Sequence, residues 1–147
     1  MIQNVTATGT KLTLYSDPTY PQGITIATLP AGTDPLDSPA MTFAEYQTGP
    51  NGDLIVYKHP MPIVINFSTV AGSAEDTAMR ILFDANRVAK NKMSVNDMIT
   101  LVIQYPNDKT VVLTGGFLVS GTPVMGVSGD GKLKDSQWSC VFESKVA

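Results

Sequence analysis

At 147 residues the chain has the size of one domain, and such a domain buries roughly 68–70% of its unfolded surface, enough for a core without disulfide or metal staples. Charged residues are 16% of the chain, against about 25% on average, so part of the surface is expected to be covered, most simply by copies of the same chain. A net charge of −3 and a single cysteine, Cys140, speak against a general nucleic-acid binder or an anionic membrane partner, and exclude an intrachain disulfide and a CxxC zinc site.

The opening Met1-Ile2-Gln3-Asn4 has no basic region and no apolar stretch of signal-peptide length. No apolar run approaches the ~20 residues of a membrane span, so a soluble protein made in a reducing cytosol is expected. Lys11-Leu12-Thr13-Leu14-Tyr15 and Gly23-Ile24-Thr25-Ile26-Ala27-Thr28 alternate with a period of two, the pattern of half-buried strands. From Leu29 to Pro62 the chain reads as irregular, with six prolines and Gly32, Gly49 and Gly52. Only short strands fit there, near Met41–Ala44 and Leu54–Lys58. A loop this long is usually functional or an interaction arm.

Pro62 to Val70 alternates again, with Ile63, Ile65 and Phe67 on one face. A helix is predicted over Ser73–Lys90. Ser73 with Asp76 resembles a capping box, and Glu75 and Asp76 suit the positive end of the helix dipole. Ala78, Leu82, Ala85 and Ala89 recur at helical spacing, widened by Met79, Ile81 and Val88. Arg80, Asp84, Arg87 and Asn91 fill the opposite face. Met98 to Tyr105 is apolar enough for a central strand, with Ile99, Leu101, Ile103 and Tyr105 on one side. Pro106-Asn107-Asp108 turns it into a strand over Lys109–Thr114. Strands are also predicted over Gly116–Val124 and Gln137–Glu143, the last with Trp138, Cys140 and Phe142 facing inward. Gly126 to Lys134 between them is a polar loop.

Candidate chemistry is thin. His59, the lone histidine, reads as a surface loop residue, because no base–nucleophile pairing surrounds it. Cys140, between Trp138 and Phe142, reads as a buried structural thiol. Gly129-Asp130-Gly131-Lys132 lacks P-loop spacing and reads as a turn. Asp34 and Asp37 flank Pro35-Leu36 and could pair around calcium, but the further oxygen ligands of an EF-hand are missing. A polar interaction loop preshaped by its prolines is the better reading. No catalytic constellation, cofactor or metal is expected.

Several phrases, in order, resemble the tail-tube proteins of contractile-tailed bacteriophages. They are Thr33-Asp34-Pro35-Leu36-Asp37-Ser38-Pro39, Gly49-Pro50-Asn51-Gly52-Asp53-Leu54-Ile55, Val70 to Asp76 closing with Ala85-Asn86-Arg87-Val88, Val112 to Phe117, and Gly131 to Lys134 before Trp138–Glu143. The resemblance implies a mainly β fold: a β-sandwich or small barrel with one flanking helix and a long proline-rich loop. It further implies rings of six copies stacked into a hollow tube in the virion, partnered by sheath and baseplate proteins, with DNA passing unbound. Exposed sheet edges would be used up by closing a ring. Asp34, Pro35, Leu36, Asp37 and Ser38 are the expected inter-ring contact, and deleting them should leave a folded subunit that cannot polymerise. A baseplate or tail-completion adaptor of the same fold is the near alternative. A receptor- or carbohydrate-binding sandwich is the distant one, and aromatics at 7% with an inward Trp138 argue against it.

Overall fold

A computed structural model describes residues 2, 5–30, 34–107 and 109–146. Ten strands and one helix follow in the order β1 (Lys11–Asp17), β2 (Tyr20–Ile26), β3 (Leu36–Asp37), β4 (Ala44–Thr48), β5 (Leu54–Lys58), β6 (Ile63–Thr69), α1 (Ala74–Asn86), β7 (Met98–Gln104), β8 (Thr110–Gly121), β9 (Ser136–Phe142) and β10 (Ser144–Val146). The fold is mainly β and sandwich- or barrel-like, as the alternating segments predict. Eight strands form one antiparallel sheet in the order β2-β1-β7-β8-β9-β6-β3, with β10 continuing β9 along β8. β4 and β5 pair only with each other, as a separate hairpin.

The period of two is why the sheet has an inner face. Leu12 and Leu14, Ile24 and Ile26, Ile65 and Phe67, Ile99, Leu101 and Ile103, and Trp138, Cys140 and Phe142 are all buried in one cluster with Leu113. Met79 and Leu82 of α1 join it, and the helix packs against β2 and β8. β8 lets a single sheet enclose this core. It pairs with β7 along its first half and with β9 along its second, with register shifts on both sides. Gly115 at the bend has a φ of 65°, a left-handed conformation that favours glycine. Bulges of this kind increase twist and let a strand change sheets.

Two glycines on β8 leave room for the largest core side chains. A Cβ at Gly116 would lie 2.3 Å from the Phe142 ring, and one at Gly121 would lie 2.4 Å from the Trp138 ring. Gly121→Ala is therefore expected to cost about 1–3 kcal/mol through overpacking. Chemical denaturation reads this directly, and an unchanged midpoint would show that the Trp138 ring moves aside freely.

Several boundaries differ from the sequence reading. The helix starts at the predicted cap, where Ser73 Oγ accepts from the Asp76 amide at 3.1 Å, but it ends at Asn86 rather than Lys90. Asn86 Nδ2 donates to the Leu82 carbonyl, and the returning chain donates Val95 N–H to the Ala85 carbonyl at 2.9 Å. The last carbonyls are thus satisfied without another turn. Ile81 and Val88, expected to widen the buried stripe, face solvent. Arg80, expected on the outer face, turns inward across the Trp138 ring, 5.9 Å from its centroid. The strand expected near Met41–Ala44 begins at Ala44 and runs to Thr48. Finally, the break expected at Gly115 is a bend inside one strand, which stops at Gly121 short of Val124.

Candidate assembly interface

The β4–β5 hairpin stands off the main sheet as an arm. Its turn is Gly49-Pro50-Asn51-Gly52, closed by Gly49 N–H to the Asp53 carbonyl at 2.8 Å and Gly52 N–H to the Gly49 carbonyl at 2.9 Å. Gly52 has a φ of 85°, which glycine adopts without strain. At the base, His59 N–H donates to the Phe43 carbonyl, so the arm is laddered from end to end.

Cross-strand register sorts the arm's side chains into two faces. Tyr46 lies opposite Val56 and Thr48 opposite Leu54, with Lys58 and Ala44 at the base of the same face. Glu45 opposite Tyr57 and Gln47 opposite Ile55 make the other, which Phe43 extends. Tyr46 is 77% exposed and Leu54 66%; Val56, Tyr57, Ile55 and Phe43 are exposed as well. A strand pair normally buries one face against a core. Here both faces carry large apolar groups, and neither is covered by the described residues. A lone two-stranded hairpin is marginal in water, and exposed apolar patches of this kind mark interaction surfaces.

A second apolar surface lies along the outer side of β8. Phe117 and Val119 point outward, at 59% and 54% exposed, and Val88 beyond the helix continues the strip. Shallow grooves flank it. One of 360 Å³ runs past Met61, Phe117, Val141 and Glu143, and one of 390 Å³ runs past Phe83, Arg87, Val88 and Val119. The outer side of β2 has no strand beside it among the described residues.

The proline-bounded segment singled out from the sequence lies elsewhere. Leu36–Asp37 forms β3 on the edge of β6, with Leu36 opposite Phe67 and Asp37 opposite Asn66. The Ser68 N–H donates to the Pro35 carbonyl at 3.0 Å, and Ser38 Oγ donates to the Val64 carbonyl at 3.4 Å. Leu36 packs against the core, while Asp34, Asp37 and Ser38 are exposed. Thr33 lies outside the described residues. Asp34 and Asp37 come together in a groove of 620 Å³ with Asn66, Gln137 and Ser139. Among the described residues no group of three acidic, histidine or cysteine side chains is placed to hold a metal ion.

The remaining polar chemistry is internal. Asp76 is buried and accepts from Thr69 Oγ1 at 2.9 Å, Gly72 N–H at 3.3 Å and Arg80 Nε at 3.3 Å. Arg80 also donates to Ser136 Oγ at 2.6 Å and to the Thr122 carbonyl at 3.0 Å, and the Trp138 indole donates to Thr69 Oγ1 at 3.0 Å. Burial pushes the Asp76 carboxyl up, but hydrogen bonds from Ser136, Thr69 and Gly72 and the Arg80 charge outweigh it and hold it below the ordinary 3.8. At the helix C-terminus, Asp97 and Asn86 clasp reciprocally: Asn86 Nδ2 to Asp97 Oδ2 at 2.8 Å and Asp97 N–H to Asn86 Oδ1 at 3.0 Å. Burial pushes the Cys140 thiol up to about 12, so it stays protonated and unreactive at neutral pH. His59 is exposed at the arm's base, and Gly129–Lys132 is a turn closed by Ser128 N–H to the Lys132 carbonyl at 2.8 Å.

A family model described as tail fiber protein gp32 matches residues 3–146. The chain belongs to the tail fiber protein gp32 family. It is accordingly a structural protein of a phage tail and a component of the virion. No curated protein matches it. For this gp32-family chain the phage-tail part of the sequence resemblance holds. The arm, its most exposed apolar element, was missed as a unit. Its signal was present in Asn51-Gly52 followed by Leu54-Ile55-Val56-Tyr57, a turn dipeptide before a run of strand formers.

Proposed function

We propose that the protein is the subunit of the tail tube, a non-catalytic building block that closes into rings which stack into a hollow conduit. The observation that carries this reading is the arm, apolar on both faces and covered on neither by the described residues. An arm of that kind calls for two covering surfaces, one on each side. Closed rings stacked on one another supply both from copies of a single chain. The side of β2 that has no strand beside it among the described residues adds a sheet edge that a neighbouring copy can extend. The exposed Asp34, Asp37 and Ser38 lie on the opposite sheet edge, where they are available to an adjacent ring.

Purified protein concentrated in dilute salt buffer is expected to form rings or hollow filaments in negative stain. A chain that stays monomeric at high concentration defeats the proposal. It would favour a second reading, a receptor-binding module of a tail fiber. That reading draws on the family's description and on the polar groove beside Asp34 and Asp37. Against it, Trp138 in the groove wall is buried and offers no open ring face for a sugar to stack on.

A further inference from the structure

We propose that the arm of one copy lies along the outer strip of β8 on the next, with Lys58 at the arm's base paired to Glu143 at the strip's end. This docking rests on the self-assembly reading above and names the surface that it uses. Three features agree.

The first is length. Asp53 to Lys58 spans about 17 Å and Gly115 to Gly121 about 20 Å at roughly 3.3 Å per residue. The second is area. The docking face's Tyr46, Leu54 and Val56 together leave roughly 350 Å² open, close to half of the about 800 Å² that each partner buries in a standard interface, and the second face offers a comparable area to another copy. The third is charge. The arm's more exposed apolar face, Tyr46, Leu54 and Val56, has Lys58 at its base. The strip has Phe117 and Val119 at its centre and Glu143 beside Gly115 at one end. Arg87 marks the other end and is already paired with Asp84 at 3.5 Å, so the charge match is made at the Glu143 end. Laid down with base toward Glu143, the arm brings Lys58 to the opposite charge and sets its apolar face along the strip beyond it.

Arm and strip are different patches on one chain, so the contact is head-to-tail and propagates until a rotation closes it. The second face of the arm, with Phe43, Ile55 and Tyr57, is left for a third copy.

The test is charge reversal in the full chain, read by sedimentation velocity and negative stain. Lys58→Glu and Glu143→Lys are each expected to weaken association by roughly tenfold or more, because like charges then meet across the contact. The double variant is expected to assemble like the wild type. Circular dichroism melts should match throughout, since both residues are exposed. If wild type assembles and neither single reversal weakens it, or the double variant fails to recover, this docking is overturned while the tube reading stands. If wild type itself never associates, both fall. A cysteine pair at Leu54 and Val119 gives a second readout: oxidation should link separate chains, and a failure to link assembled protein counts against the docking.

Discussion

Replacing Tyr46, Leu54 and Val56 together by serine is expected to abolish assembly while leaving the subunit folded. All three are on one face of the arm, and none belongs to the buried core. A fully buried residue of this kind stabilises a contact by about 1.5–3 kcal/mol. Losing three partly exposed ones should weaken association by at least about 4 kcal/mol, roughly a thousandfold. Sedimentation velocity over a concentration series measures this. The thermal unfolding midpoint should move little, because the arm stands apart from the main sheet. Assembly of the triple variant at wild-type concentrations would show that the arm is not the contact, whatever else the protein builds.

The largest effect on the fold itself is expected at Asp76. Its carboxylate is the acceptor on which Thr69, Gly72 and Arg80 converge, and Thr69 in turn holds the Trp138 indole. Asp76→Ala leaves the Arg80 guanidinium without its counter-charge in a mostly buried setting. Breaking a buried pair by removing one partner costs about 3–5 kcal/mol, a large fraction of a domain's stability. Urea denaturation should show the loss as a lower midpoint. The pH dependence follows from the direction of the Asp76 shift. Its folded pKa is lowered below 3.8, so the stabilisation is fully present above the unfolded value and is lost as pH falls through the folded one. Acid unfolding that sets in below about pH 4 should be blunted in Asp76→Asn, which keeps the shape but cannot titrate. A variant with the acid sensitivity of the wild type would place the titrating group elsewhere.

How far the residues alone carried the reading differs from element to element. Leu12, Leu14, Ile99, Leu101, Trp138, Cys140 and Phe142 were legible as inward-facing because alternation is a local property that any sheet must respect. Ser73 was legible as a cap because its hydroxyl acts on an amide three residues away. Other features were illegible because they depend on neighbours distant in the chain. Arg80 looked like a solvent residue on a helical wheel. It faces inward because Ser136 and Thr122, far along the chain, present oxygens to it. Leu36 looked like part of an interaction loop. The edge of β6 recruits it as a strand. The chain from Phe43 to Lys58 looked like loop with two short strands, because its apolar residues have no core to belong to.

The local order of side chains therefore determined that this protein is mainly β, that one helix follows β6, and most of the strand residues that fill the core, since period and capping act between neighbours a few residues apart. Tertiary structure alone decided that β8 bends through Gly115, that Asp76 and Arg80 lock the helix to Trp138, and that the hairpin is left outside. Each of those outcomes depends on which distant strands meet, and pairing across long sequence separations is set by the packing of the whole core rather than by any segment within it.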